Sequence, residues 1–162
     1  MSQTSYSINQ GISQAGQLAD LGNSGIVSKY DSVDALGVSF GMGLVQGTND
    51  SEVHYPQTAN DKMVGISVLV QHKEQQFGTG IVNYKSGDLI SVLRKGRIWV
   101  LVDGPVTASS LVYCRFAAGT GTVLGSFRAD ADTGSAFLVD GASFSSSAVA
   151  GGLAIIDINL PA

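Results

Sequence analysis

The run SGDLISVLRKGRIWVLVDG, Ser86 to Gly104, restricts the fold more than any other stretch. Leu89–Arg94 and Arg97–Val102 are two apolar segments of strand length, and Lys95-Gly96 between them reads as the turn of a β-hairpin. Successive side chains of a strand point to opposite faces. Leu89 and Leu93 then share one face with Ser91, and Ile90 and Val92 take the other. On the return strand Ile98, Val100 and Val102 share a face, opposite Trp99 and Leu101. A strand solvated on one side alternates apolar with polar residues. These segments are apolar on both sides, so each needs two covers: an opposing sheet, and then an arm, a loop or a neighbouring chain.

The rest of the chain reads the same way. Twenty-one glycines and three prolines punctuate short β-like runs, the pattern of a sandwich or barrel. Strands are expected at Val64–Gln71, Gly80–Tyr84, Leu89–Arg94, Arg97–Val102, Leu111–Ala117, Val123–Arg128, Phe137–Val139 and Gly152–Asn159. Asp103-Gly104-Pro105 ends a strand, because proline has no N–H to give the ladder. Asp140-Gly141 suits a type I′ turn. Helical pattern is confined to Ile12–Leu21, which Gly16 weakens. The class is therefore all-β, with about eight strands.

The division expected is an N-terminal arm, residues 1–36, and a β-sandwich domain, residues 37–162. The first sixty residues carry one basic side chain, Lys29, and many Ser, Gln, Asn and Gly. Their apolar residues are spaced: Ile8, Ile12, Leu18, Leu21, Ile26 and Val27. Such a segment is too apolar for a disordered tail and too sparse for its own core. It suits an extended path across another surface, either donated to a neighbouring chain or laid on its own domain. The stretch GVSFGMGLVQG, Gly37–Gly47, reads as a glycine-interrupted strand leading into the core.

Charge narrows the possible partners. Only 14% of residues are charged, against about a quarter in an average domain. Part of the surface is thus expected to face other subunits, the alternative being a solvated surface rich in the abundant Ser, Thr, Asn, Gln and Gly. The net charge of −4, with nine Lys and Arg scattered along the chain, argues against direct nucleic-acid binding. Arg94, Lys95 and Arg97 form the densest basic group, expected to be a solvated turn. No apolar run is long enough to cross a bilayer, and MSQTSYSINQ lacks the plan of a signal peptide. Cys114, the only cysteine, sits in LVYCRF and is expected to be a small buried hydrophobe, with no disulfide within the chain and no zinc cluster possible.

No constellation for catalysis emerges. His54 and His72 fit no metal-ligand spacing. GTGTVLG and GVSFGMG lack the dinucleotide-binding spacing, and neither a Gly-x-Ser-x-Gly elbow nor a phosphate loop is present. Asp132-Thr133-Gly134-Ser135 matches the aspartic-protease triplet. In that family, however, the triplet follows an apolar strand, whereas FRADA precedes it here, and Asp-Thr-Gly is also ordinary turn sequence. Trp99, the only tryptophan, is surrounded by aliphatics and reads as a core or interface anchor rather than a sugar platform. No enzyme activity, metal or cofactor is expected.

Several segments, in order, resemble the structural cement or head decoration proteins of tailed bacteriophages. They are VSFGMGLV (Val38–Val45), Tyr84 with Gly87-Asp88, VLRKGRIWV (Val92–Val100), Val106-Thr107, Val112-Tyr113, Gly125-Ser126-Phe127 and AGGLAIIDIN (Ala150–Asn159). The resemblance covers most of the chain from about Gly37. It implies a jelly-roll-like β-sandwich and a non-enzymatic virion protein on the capsid exterior, made in the host bacterial cytoplasm. The partners it implies are major capsid protein and sister copies, as a dimer or trimer, bound across joints between capsomers. The contact residues then expected are the arm's Ile8, Ile12, Leu18, Leu21, Ile26 and Val27, together with Trp99. The alternative is a glycan-binding β-module of a phage tail or fibre.

Overall fold

The structure is a computed structural model, and it describes residues 13–20, 22, 24–31, 37–70 and 83–161. Among these, nine strands form one curled sheet. They are β1 (Gly25–Asp31), β2 (Gly43–Gln46), β3 (Glu52–His54), β4 (Met63–Ser67), β5 (Leu89–Leu101), β6 (Leu111–Arg115), β7 (Phe127–Arg128), β8 (Ala136–Phe144) and β9 (Leu153–Asn159). A 3-10 turn at Asp132–Gly134 precedes β8. The strand order is β1-β3-β2-β4-β5-β9-β8-β6-β7, and β1 also pairs with β5. The first five strands in that order thus close on themselves. The far edge is also tied back, because Val102 bridges Phe127 at the start of β7. The all-β, sandwich-like class expected from the sequence is the class observed.

The expected hairpin at Lys95-Gly96 is not a hairpin. β5 runs unbroken for 13 residues through both positions. Each half has its own neighbour: β1 pairs with Leu89–Lys95 and β9 with Lys95–Leu101. What the glycine supplies is a local distortion. Gly96 has φ 128°, a conformation L side chains rarely adopt. Beside it the register steps from Gly25↔Lys95 to Ile26↔Leu93, leaving Arg94 as a bulged extra residue. That extra residue reverses the side-chain alternation, so Leu93 and Ile98 join the same hydrophobic cluster. The three basic residues accordingly sit on the bulge of a central strand, not on a turn.

Both apolar faces of β5's first half are now accounted for. Leu93 packs in a large cluster with Ile66, Ile98, Val100, Phe127 and Ile156. Ile90 and Val92, on the other face, pack in a second cluster with Val38, Phe40, Leu44, Val53 and Tyr84. The Tyr84 ring meets Phe40 edge-on, with centroids 5.3 Å apart. Its hydroxyl donates to the Val68 carbonyl at 2.8 Å and accepts from the Ser91 amide. A buried phenol thereby keeps its polar end satisfied.

Other expectations also give way. Asp140-Gly141 is no hairpin turn: Gly141, at φ 82°, lies inside β8, which spans far more than Phe137–Val139. A Cβ there would meet the Asn159 carbonyl oxygen at 2.6 Å, so the glycine admits the close approach of β9. Of Val123–Arg128 only Phe127–Arg128 is strand. Residues 13–20 form a turn and extended chain rather than a helix, bonded along β5: Gly16 donates to the Trp99 carbonyl and Ala19 to that of Arg97. Positions 80–82 of the expected strand Gly80–Tyr84 and the ends of the helical pattern, Ile12 and Leu21, lie outside the described residues. Tyr84 itself forms a bridge with Val38.

Candidate functional site

Chemistry at a surface begins with what each strand turns outward. On β5 and β9 the inward residues Ile98, Val100, Ile156 and Ile158 are fully buried. Alternation then sends Arg97, Trp99 and Leu101 outward, beside Asp157, Ile155 and Leu153. The register sets them in three cross-strand rows: Arg97↔Asp157, Trp99↔Ile155 and Leu101↔Leu153. Asp157 is exposed and the other five are half-buried. Trp99 therefore stands on the outer face rather than in the core. Arg97 and Asp157 are neighbours in the ladder, yet among the described residues neither forms an ion pair.

The arm presents a second apolar area. Ile26 and Val27 are 42% and 36% exposed, and Leu89, at the start of β5, is 51% exposed. Gly25, Ile26 and Val27 line a groove of about 220 Å³ with Arg94 and Leu160. The Arg94 guanidinium donates to the Pro161 carbonyl at 2.6 Å, which pins the C-terminal segment along this groove. Leu18 behaves differently: it bridges Ile98 and packs against the large core cluster. The expected contact set thus divides into an inward Leu18, outward Ile26 and Val27, and a half-covered Trp99. Ile8, Ile12 and Leu21 lie outside the described residues. Leu111, Leu138 and Val149 are also exposed, at 59%, 43% and 75%, and nothing in the sequence pattern distinguished them.

The polar feature that sequence reading missed is an ion network. Arg115 lies on β6 with its side chain 3% exposed. Its Nε donates to Asp103 Oδ2, its Nη2 to Asp132 Oδ2, and its Nη1 to the Ala117 carbonyl. Arg128 joins through Asp132 at 2.8 Å and Asp130 at 2.9 Å. Burial alone would favour a neutral Arg115, but the hydrogen bonds it donates to Asp132 and Asp103 prevail and hold it charged. The hydrogen bond from Arg128 pulls the Asp130 carboxyl below the usual range. Asp103 Oδ1 receives no hydrogen bond, and Arg128 Nη1 lies 3.6 Å away. The one local signal was an arginine inside an apolar strand, LVYCRF, since a buried cation requires anions.

This network also defines the role of the Asp-Thr-Gly triplet. Asp132 is clamped by two guanidinium groups, and its backbone takes φ 43°, with Thr133 at φ 53°. Its carboxylate serves structure, ion-paired rather than sharing a proton with a second acid. His54 Nδ1 donates to the Tyr55 carbonyl at 2.6 Å; His72 lies outside the described residues. Cys114 is fully buried, and burial pushes its thiol well above the ordinary range. Among the described residues no three His, Cys, Asp or Glu side chains converge as metal ligands, and no helix is long and apolar enough to cross a membrane.

Comparison with known proteins gives this surface a context. A search of curated proteins finds no match. Among solved structures, a chain from "The capsid of Myoviridae Phage XM1" superposes with a TM-score of 0.72 at 15% identity, covering 97% of this chain and 96% of that one. The fold is thus one found in a phage capsid. Residues 2–159 match the family described as "Structural cement protein (E217 gp24/Pam3 gp6)". A match over nearly the full length makes this chain a member of the phage structural cement protein family.

Proposed function

We propose that the chain binds the outer surface of a phage head and holds adjoining capsomers together, with major capsid protein as its partner. The observation that carries this reading is the family match over residues 2–159. The exposed Ile26, Val27 and Leu89 beside the Leu160 groove support it as the contact with the shell. On this reading residues 1–36 act as a contact arm whose Gly25–Asp31 stretch is built into the sheet as β1, and Ile8, Ile12 and Leu21 extend the same apolar contact. The work done is mechanical, with no bond made or broken. A clamp across a joint stabilises the closed joint by its own binding free energy, which is lost when the joint opens. Repetition over the shell multiplies weak single contacts. Contacts poor in charge are also little screened by salt.

The test uses expanded heads lacking this protein, mixed with the purified chain and pelleted. Saturable co-sedimentation at a fixed ratio to major capsid protein is expected, together with a higher rupture temperature of the decorated heads. Ile26→Asp and Val27→Asp are expected to abolish pelleting without lowering the melting temperature of the free chain. Absence of pelleting, with specific capture by a cell-surface glycan instead, overturns the reading in favour of a tail or fibre module.

A further inference from the structure

The groove beside Ile26 and Val27 has a counterpart across Leu160. We propose that Leu160 and Pro161 form a strap that lifts to join the two hollows into one trough for an apolar segment of capsid protein. The inference rests on the shell-binding reading for its occupant and adds how that contact is gated. Leu160 lines both hollows. The first, of about 220 Å³, is the groove shared with Ile26, Val27 and Arg94. The second, of about 230 Å³, lies against Met63, Phe137, Leu138 and Val139 and is also lined by Pro161. With the strap closed, the exposed Ile26 and Val27 lie on one side of Leu160 and the exposed Leu138 on the other. With it lifted, they wall one continuous apolar surface, the form that an extended partner segment fits.

Three observations make the strap separable from the sheet. β9 ends at Asn159, which pairs with Lys95, and Pro161 has no N–H with which to extend the ladder. Among the described residues, both polar ties of the strap run to Arg94: the Leu160 N–H donates to its carbonyl at 3.0 Å, and its guanidinium donates to the Pro161 carbonyl at 2.6 Å. Arg94 is the bulged residue of β5, and a bulge re-aims a side chain. Next, β8 offers the strap no clasp. Its pairing with β9 stops at Ala142↔Ile158. The residue beside the root of the strap is Gly141, where a Cβ would lie 2.6 Å from the Asn159 carbonyl oxygen and 3.9 Å from Leu160 Cα. Finally, Leu160 is only half-buried at the margin of the large cluster, and Pro161 is exposed. A site that is open part of the time binds with an affinity reduced by its open fraction. Loosening the strap therefore tightens binding, whereas damage to a fixed wall weakens it.

The experiment pairs native amide exchange of the full chain with head pelleting, with melting curves run on every variant. In the wild type the Leu160 amide is expected to exchange about a hundredfold or more faster than that of Ile158, which is fully buried. Arg94→Ala removes one tie and should speed Leu160 exchange by about tenfold or more, leaving Ile158 unchanged. It should also lower the Kd for heads by the same factor, because both quantities report the open fraction. Leu160→Ala loosens the strap through its apolar contact instead and should move both readouts in the same direction. The dye anilinonaphthalene sulfonate provides a readout without heads, and its fluorescence should rise with Arg94→Ala in step with exchange. Equal exchange at Leu160 and Ile158, or dye fluorescence unmoved by Arg94→Ala, overturns the proposal. Head binding unchanged or weakened in either variant also overturns it and makes Leu160 and Pro161 a fixed wall of the contact. A wild-type chain that does not pellet sinks the shell reading alone, and exchange and dye then decide the strap.

Discussion

Removing the Asp103 carboxylate tests the ion network most directly. Asp103→Ala leaves Arg115, 3% exposed, with Asp132 as its remaining carboxylate, and Asp132 is itself 37% exposed. It also takes an acceptor from Ser126 Oγ, which lies 2.9 Å from Asp103 Oδ2. Leaving a buried charge short of its partner costs about 3–5 kcal/mol, a large part of the roughly 5–15 kcal/mol that holds a domain folded. For a chain of 162 residues at roughly 2–4 °C per kcal/mol, the melting temperature should fall by about 6–20 °C. Asp132→Ala removes a carboxylate that water reaches, so solvent screening discounts its cost to about 1 kcal/mol or less. The assay is urea unfolding at pH 7, read as a shift in midpoint at constant slope. The unmet hydrogen bond at Asp103 Oδ1 works in the opposite direction, as a standing cost of the native network. An Asp103→Ala loss below about 1 kcal/mol, or one no larger than that of Asp132→Ala, would refute the assignment of this network as a stabilising clamp.

Three further outcomes are expected. Gly43→Ala places a methyl group on Cys114 Sγ, with Met63 Sδ at 3.1 Å and Phe127 at 3.2 Å, and should destabilise by about 1–3 kcal/mol in thermal melts; an unchanged melt contradicts the packing described. Asp61 accepts from the Gln57 and Thr58 amides and the Thr58 hydroxyl, and these bonds outweigh burial to lower its pKa. A depressed carboxyl stabilises above its unfolded pKa of about 3.9 and loses that contribution as pH falls through the lower folded value. Asp61→Asn should therefore flatten the stability profile below about pH 4, and an unaltered acid limb counts against the cap. Cys114, fully buried with its thiol pKa raised, should resist a thiol reagent in the native protein and react only in urea; fast native labelling would contradict its burial.

How much of this was legible in the chain depends on the range of the forces involved. Strand positions follow from alternation and glycine placement, which are local, so Leu111–Arg115, Leu153–Asn159 and the two halves of Leu89–Leu101, though not their continuity through Lys95-Gly96, were readable. The two-faced apolar character of Leu89–Val102 correctly demanded two covers, and two hydrophobic clusters supply them for its first half. Lys95-Gly96 and Asp140-Gly141 misled for one shared reason. A positive-φ glycine serves a tight turn and a mid-strand distortion equally well, and only the partner strands, here β9 and β1 for β5, decide between them. The Arg115 network joins residues from Asp103 to Asp132 through tertiary approach, so no spacing could announce it. Which apolar arm residues face outward was equally hidden: Leu18 and Ile26 look alike in the sequence, and the path beside β5 half-buries one against the core and exposes the other.

The length of β5 has a mechanical consequence. Because a single 13-residue strand threads both hydrophobic clusters, neither can melt while the other stays intact without tearing backbone bonds out of the shared strand. A tug on the arm side of the molecule is therefore conducted along an unbroken covalent thread to the far side. It meets antiparallel ladders loaded in shear, where many bonds must break together instead of unzipping one at a time.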